Sequence, residues 1–104
     1  MKRARFTKQA RAELLAQTSY YELEELGLGA RFRTEVESAA QRAAMFPQHG
    51  KPGSAGTRKR RVAEFKFSVV YTETDYGILI HAVASHRREP DYWVSRVPGQ
   101  PRDA

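Results

Sequence analysis

The chain contains no cysteine, so disulfide staples, thiolate nucleophiles and thiolate metal sites are excluded together. Histidine is also scarce: the three, His49, His81 and His86, stand too far apart for a helical metal-binding pair. No apolar run approaches the length of a membrane span, and Met1-Lys2-Arg3 leads into no signal-like hydrophobic stretch, so the expectation is a cytoplasmic protein with no membrane partner. No cofactor and no metal are expected. Repeats and low-complexity tracts are absent as well. What remains is 104 residues, 40% hydrophobic and 11% aromatic, enough for one small core but not for two. Acidic residues are in the minority, 12 against 18 Lys and Arg, and the net charge of +6 favours acidic partners.

Arg3–Phe6 fits a brief edge strand, and Thr7 can cap a helix. Lys8–Leu26 lacks Pro and Gly and is rich in Ala, Leu, Glu and Gln, which predicts a helix. Gly27-Leu28-Gly29 breaks it, with Gly27 suited to a left-handed conformation. In Ala30–Met45, the residues Phe32, Val36, Ala39, Ala40 and Ala43 recur at helical spacing, and Pro47 stops the run. The short link makes the two helices an antiparallel hairpin on one sheet face. Pro47–Gly56 reads as a loop. Three strands are expected from Arg58–Glu64, Phe65–Thr72 and Ile78–Ser85, with Thr74-Asp75-Tyr76-Gly77 as a hairpin turn. In the last strand, Ile78, Ile80, Ala82 and Ala84 alternate with Leu79, His81 and Val83. The order β-α-α-β-β-β predicts an α+β domain over residues 1–97: a helical hairpin on a twisted, mainly antiparallel sheet of about four strands. Residues 98–104 read as a flexible tail.

Two groups of side chains can carry chemistry. Arg58-Lys59-Arg60-Arg61 is the densest charge cluster, with Arg58 and Arg60 on one strand face and Lys59 and Arg61 on the other. It is either a polyanion-contacting surface or a solvated edge strand kept soluble by charge. His86, Arg87 and Arg88, followed by Tyr92 and Trp93, sit just after a buried strand. Arginines can hold phosphate, an aromatic ring can stack on a base, and histidine can move protons near neutral pH. Equally, Tyr92 and Trp93 can pack the segment onto the sheet while the arginines pair with Glu89 and Asp91. His81 lies among apolar residues and reads as a core histidine.

Several strings in order resemble the RelE/ParE toxins of bacterial type II toxin–antitoxin, or plasmid stabilisation, modules. They are Tyr20-Tyr21-Glu22, Gly27-Leu28-Gly29-Ala30-Arg31-Phe32, Glu35-Val36-Glu37, Phe46-Pro47, Phe65 to Tyr71, and Ala82 to Trp93. The resemblance spans Phe6–Arg96. It implies a cognate antitoxin whose acidic C-terminal segment wraps the toxin in a hetero-oligomer, with apolar contacts and with carboxylates opposite some of Arg58, Arg60, Arg87 and Arg88. The two branches differ in activity. ParE-like members poison DNA gyrase; RelE-like members cut mRNA on the ribosome with strand cations and a C-terminal Arg/Tyr pair. Arg88 and Tyr92 match that pair, and His86, Lys66 and Arg61 complete the set a nuclease would use. Ser68 stands where the nuclease branch often carries Arg, with Lys66 two positions earlier on the same face. The long hairpin and the Tyr92-Trp93 tail resemble the ParE side, which implies a gyrase poison without catalytic residues. An inactive homologue or a plain nucleic-acid-binding module would fit the same basic strand.

Overall fold

A computed structural model describes residues 2–99; of the expected tail, residues 100–104 lie outside the described residues. Strand β1 (Arg3–Phe6) leads into helix α1 (Lys8–Glu24), whose first turn is capped by the Thr7 hydroxyl accepting the Ala10 N–H at 3.1 Å. Helix α2 (Leu28–Met45) follows after a turn in which Gly27 takes φ +88°. The hairpin differs from expectation by two residues on each side of this turn. The reason is Glu22: its carboxylate accepts the Gly27 and Gly29 N–H groups at 2.9 and 3.0 Å, so the opening donors of α2 are satisfied two residues early. Gly29 is buried against α1, and a Cβ there would run into the Thr18 carbonyl.

Strands β2 (Lys51–Pro52), β3 (Arg58–Arg61), β4 (Phe67–Thr74) and β5 (Gly77–Ser85) complete a five-stranded sheet in the order β1-β5-β4-β3-β2. Only β1 runs parallel to its neighbour, β5. The α+β fold is as expected, with one strand more. That strand lies inside the segment expected to be a loop, because Tyr71 and Arg58 hold the segment in place. The Tyr71 hydroxyl donates to the Pro47 carbonyl at 2.8 Å, and Arg58 donates to the Gly50 carbonyl and the Gln48 side chain at 2.8 and 3.1 Å. Strand β3 ends before Glu64, which takes φ +69° in a turn closed by the Val62 N–H on the Phe67 carbonyl. Lys66 lies in that turn, not within β4 as the strict alternation required.

Both helices cover one sheet face. Tyr21, Phe32, Phe65 and Phe67 form an aromatic cluster there with centroids 5.0–6.4 Å apart, beside Val36, Val69, Ile78 and Ile80. Simple alternation along β5 fails at one point. The β4–β5 register shifts between Val70 and Tyr71, leaving His81 as the extra residue of a bulge. Ile78 and Ile80 therefore face the helices, while Ala82 turns to the opposite face and Val83 joins the helix side. On that opposite face, Val70 and Ala82 are covered by Trp93 and Val97 from the C-terminal segment. Among the described residues, no helix is long and apolar enough to cross a membrane.

Candidate functional site

The C-terminal segment is held by a carboxylate that sequence reasoning passed over. β1 ends opposite Ile80, so the edge of β5 beyond it presents the His81 carbonyl and the Val83 N–H without a strand partner. Glu13, half-buried on α1, accepts the Val83 N–H at 3.0 Å. Arg96 donates to both oxygens of Glu13 at 3.0 and 3.1 Å and to the His81 carbonyl at 3.2 Å. The Tyr92 hydroxyl donates to Glu13 at 2.7 Å, and the Arg88 guanidinium lies over the Tyr92 ring, 3.8 Å from its centroid. The only sequence signal for Glu13 is its place on α1, three residues after the buried Ala10. Burial, and then the hydrogen bond and charge of Glu13, push the Tyr92 phenol well above its ordinary value, so it stays protonated at physiological pH.

Between this segment and the β3–β4 edge lies a cleft of about 230 Å³, lined by Lys59, Ser68, His86, Arg88, Glu89 and Tyr92 among others. Ser68 Oγ and His86 Nε2 share a hydrogen bond across 2.8 Å. Ser68 thus occupies the expected cation position, but as a buried partner of His86. Burial, then the charges of Arg61 and Lys59 and more weakly Lys66, lower the His86 pKa, which keeps the imidazole neutral near pH 7. Arg61 is the cross-strand partner of Ser68, and Lys59 that of Val70, so both project on the cleft side of the sheet.

The structure gathers only part of the expected set. Lys59, His86 and Arg88 line one cleft, with Arg61 and Lys66 near enough for their charges to act on His86. Arg58 is occupied in holding the β2 segment, and a guanidinium nitrogen of Arg60 is buried without a hydrogen-bond partner. Both lie on the opposite side of β3 from Lys59 and Arg61. Arg87 is exposed in the turn after β5. Trp93 is only 3% exposed, so it packs the segment down and offers no stacking surface to a partner. Among the described residues Arg87 and Arg88 form no ion pair with Glu89 or Asp91: Arg88, like Arg96, turns to Glu13, and Asp91 accepts the Ser54 hydroxyl at 2.8 Å. A neutral imidazole among cations can accept a proton. The tyrosine that would be its partner spends its hydroxyl on Glu13. Among the described residues no cluster of histidines and carboxylates is placed to hold a metal ion.

Comparison with known proteins agrees with this fold. A chain of the chromosomal ParDE toxin–antitoxin system from P. aeruginosa superposes with a TM-score of 0.68 at 17% identity, over 82% of this chain and 96% of that one. No curated protein sequence matches the chain. The family model for the ParE toxin of the type II toxin–antitoxin system parDE matches residues 4–90, and the chain therefore belongs to the ParE toxin family.

Proposed function

We propose that this ParE-family toxin arrests bacterial growth in the cytoplasm by binding DNA gyrase, not by cutting RNA, and that a cognate antitoxin neutralises it. The observation that carries this reading is the commitment of Tyr92. Cleavage through a ribose 2′-hydroxyl needs a proton acceptor, a proton donor and stabilisation of the developing phosphate charge. Here the tyrosine hydroxyl is bound to a carboxylate 2.7 Å away, and burial holds its proton. Ser68 supplies no charge where a nuclease benefits from one. For the antitoxin, the net charge of +6 favours an acidic wrapping segment. Arg58 is already engaged and Arg88 already lies over Tyr92 beside Glu13, so the exposed Arg87 is the better-placed cation for its carboxylates.

The RelE-like reading keeps one specific observation in its favour: His86 is neutral, exposed and surrounded by cations. Inducing the toxin alone in a bacterial host, with mRNA integrity followed beside gyrase supercoiling, separates the two. The binding reading expects supercoiling to fail first, with arrest surviving His86→Ala and Tyr92→Phe. Ribosome-dependent mRNA cuts that vanish in either variant, with supercoiling untouched, would replace it with the nuclease. No arrest of any kind from a folded, expressed protein would identify an inactive homologue.

A further inference from the structure

We infer that Ser68 and His86 form a nucleophile–base pair that hydrolyses small carboxylic esters in the cleft between β3, β4 and the C-terminal segment. This goes beyond the gyrase reading and does not rest on it. A serine hydroxyl is a weak nucleophile by itself and needs a positioned base within hydrogen-bond reach. Ser68 Oγ lies 2.8 Å from His86 Nε2. Both residues are anchored by main chain. Ser68 sits within β4, paired to Arg61 on one side and Ala84 on the other, and the His86 N–H donates to the Lys66 carbonyl at 2.9 Å. A hydrogen bond at the Phe67 backbone acts to raise the His86 pKa, as a carbonyl does when it accepts a ring N–H, though burial and the nearby cations outweigh it. With Nε2 turned to Ser68, Nδ1 is the nitrogen left to donate, and that tautomer lets Nε2 take the serine proton. Nucleophile, base and orienting group are then all present.

The cleft suits a small, neutral acyl group better than a polyanion. At about 230 Å³ it is too small for a drug-sized ligand. Ala84, beside Ser68 on β5, leaves room over the hydroxyl, and Val70, Pro90 and Trp93 add apolar lining. Arg88 is already met by Glu13, 4.0 Å away, and Asp91 by the Ser54 hydroxyl. Lys59 also lines the cleft, close enough for its charge to act on His86, and is the cation that meets the negative oxygen of a tetrahedral intermediate. Ser68 Oγ attacks the carbonyl carbon and forms the new C–O bond while its proton passes to His86 Nε2. The bond from that carbon to the alcohol oxygen breaks, and His86 returns the proton to the departing alcohol. A water molecule then attacks the acyl-serine with His86 as base, releasing the carboxylic acid and restoring Ser68. The sum is ester plus water to acid plus alcohol, with no oxidant, reductant or further reactant.

The test treats the purified chain with a fluorophosphonate probe, maps the labelled peptide by mass spectrometry, and follows hydrolysis of p-nitrophenyl butyrate beside it. The probe should attach at Ser68. Ser85 is an internal control, since it lines the same cleft but its hydroxyl accepts the Arg87 N–H at 3.2 Å. Ser68→Ala should abolish turnover, and His86→Ala should lower kcat/KM by about 10²–10⁴-fold. Activity should reach its plateau by pH 7 and fall on acidification with a midpoint below the ordinary histidine value of 6.5. Lys59→Ala should lower kcat with little change in KM and move that midpoint upward, because one of the charges that depress it is gone. Labelling of Ser68 no faster than of Ser85 would overturn the proposal. So would ester hydrolysis by Ser68→Ala at the wild-type rate, which would trace the activity to the exposed imidazole alone. Labelling is read on the wild-type chain, so a misfolded variant does not decide the matter. Neither assay contains gyrase, so failure here leaves the reading of growth arrest as it stands.

Discussion

Glu13 is the residue on which most other contacts of the C-terminal segment depend. Its carboxylate satisfies a strand N–H, an arginine and a tyrosine hydroxyl, and both Glu13 and Arg96 keep only about a fifth of their side-chain surface exposed. Glu13→Ala leaves Arg96 without its counter-charge, and we expect it to cost roughly 2–4 kcal/mol in urea denaturation. Tyr92→Phe removes one hydrogen bond to a charged group and should cost about 1.5 kcal/mol. Growth arrest should survive it, since the hydroxyl serves packing. His81 sets a pH dependence. It is 1% exposed, its Nε2 pairs with Thr72 at 2.9 Å, and its Nδ1 has no partner. Burial lowers its pKa from the ordinary 6.5. Below pH 6.5 the unfolded chain takes up a proton that the native protein refuses, so stability is full above that value and is lost as the pH falls towards the native pKa. The slope is at most about 1.4 kcal/mol per pH unit for one histidine. Comparing urea midpoints at pH 7 and pH 5, His81→Gln should show a smaller loss than wild type; an unchanged loss would clear His81 of the effect.

Among the elements, the helical hairpin was legible because its signals are local. Thr7, the Gly27-Leu28-Gly29 break and the spacing of Phe32, Val36 and Ala40 all act within a few residues. Its bounds moved by two residues because the Glu22 carboxylate, a side-chain choice, supplies the cap. Gly29→Ala tests how close the helices lie. A methyl group would meet the Thr18 carbonyl and the Glu22 side chain, so the pair must separate, at about 1–3 kcal/mol by thermal or urea unfolding. Strand β5 shows the limit of periodicity. One bulge at His81 reverses which face Ala82 and Val83 occupy, and nothing in an alternating run reveals where the extra residue sits. Strand β2 was hidden for a related reason: its two residues pair with β3 because Arg58 and Tyr71, which lie outside the segment, hold the backbone just before it at Gly50 and Pro47.

At the scale of the whole molecule, the proposed antitoxin has both charge and apolar surface to bind. The exposed leucines Leu23 and Leu26, 89% and 91% accessible near the hairpin tip, add apolar surface to a chain whose net charge is +6. For a purified cognate antitoxin, apolar contact should dominate affinity and charge the association rate. Raising salt from low to physiological strength should therefore slow association measured by stopped flow, with a smaller change in dissociation. An association rate indifferent to salt would remove the electrostatic half of this expectation.

By itself the sequence determined the class of the molecule. Composition excluded thiol chemistry, helical periodicity and the glycine break set the hairpin, and the ordered strings pointed to the toxin family. Those properties are additive along the chain or repeat at short range. Only the tertiary structure decided what the candidate side chains are free to do. Arg58 and Arg61 stand in the same basic run, yet one is consumed by a loop carbonyl and the other projects beside Ser68. Tyr92 and Arg88 match a nuclease pair in sequence, yet Glu13, 79 positions away from Tyr92, takes up the hydroxyl. A residue's chemistry depends on which partners reach it, and partners separated by most of the chain are brought together only by the packing of the sheet and the helices.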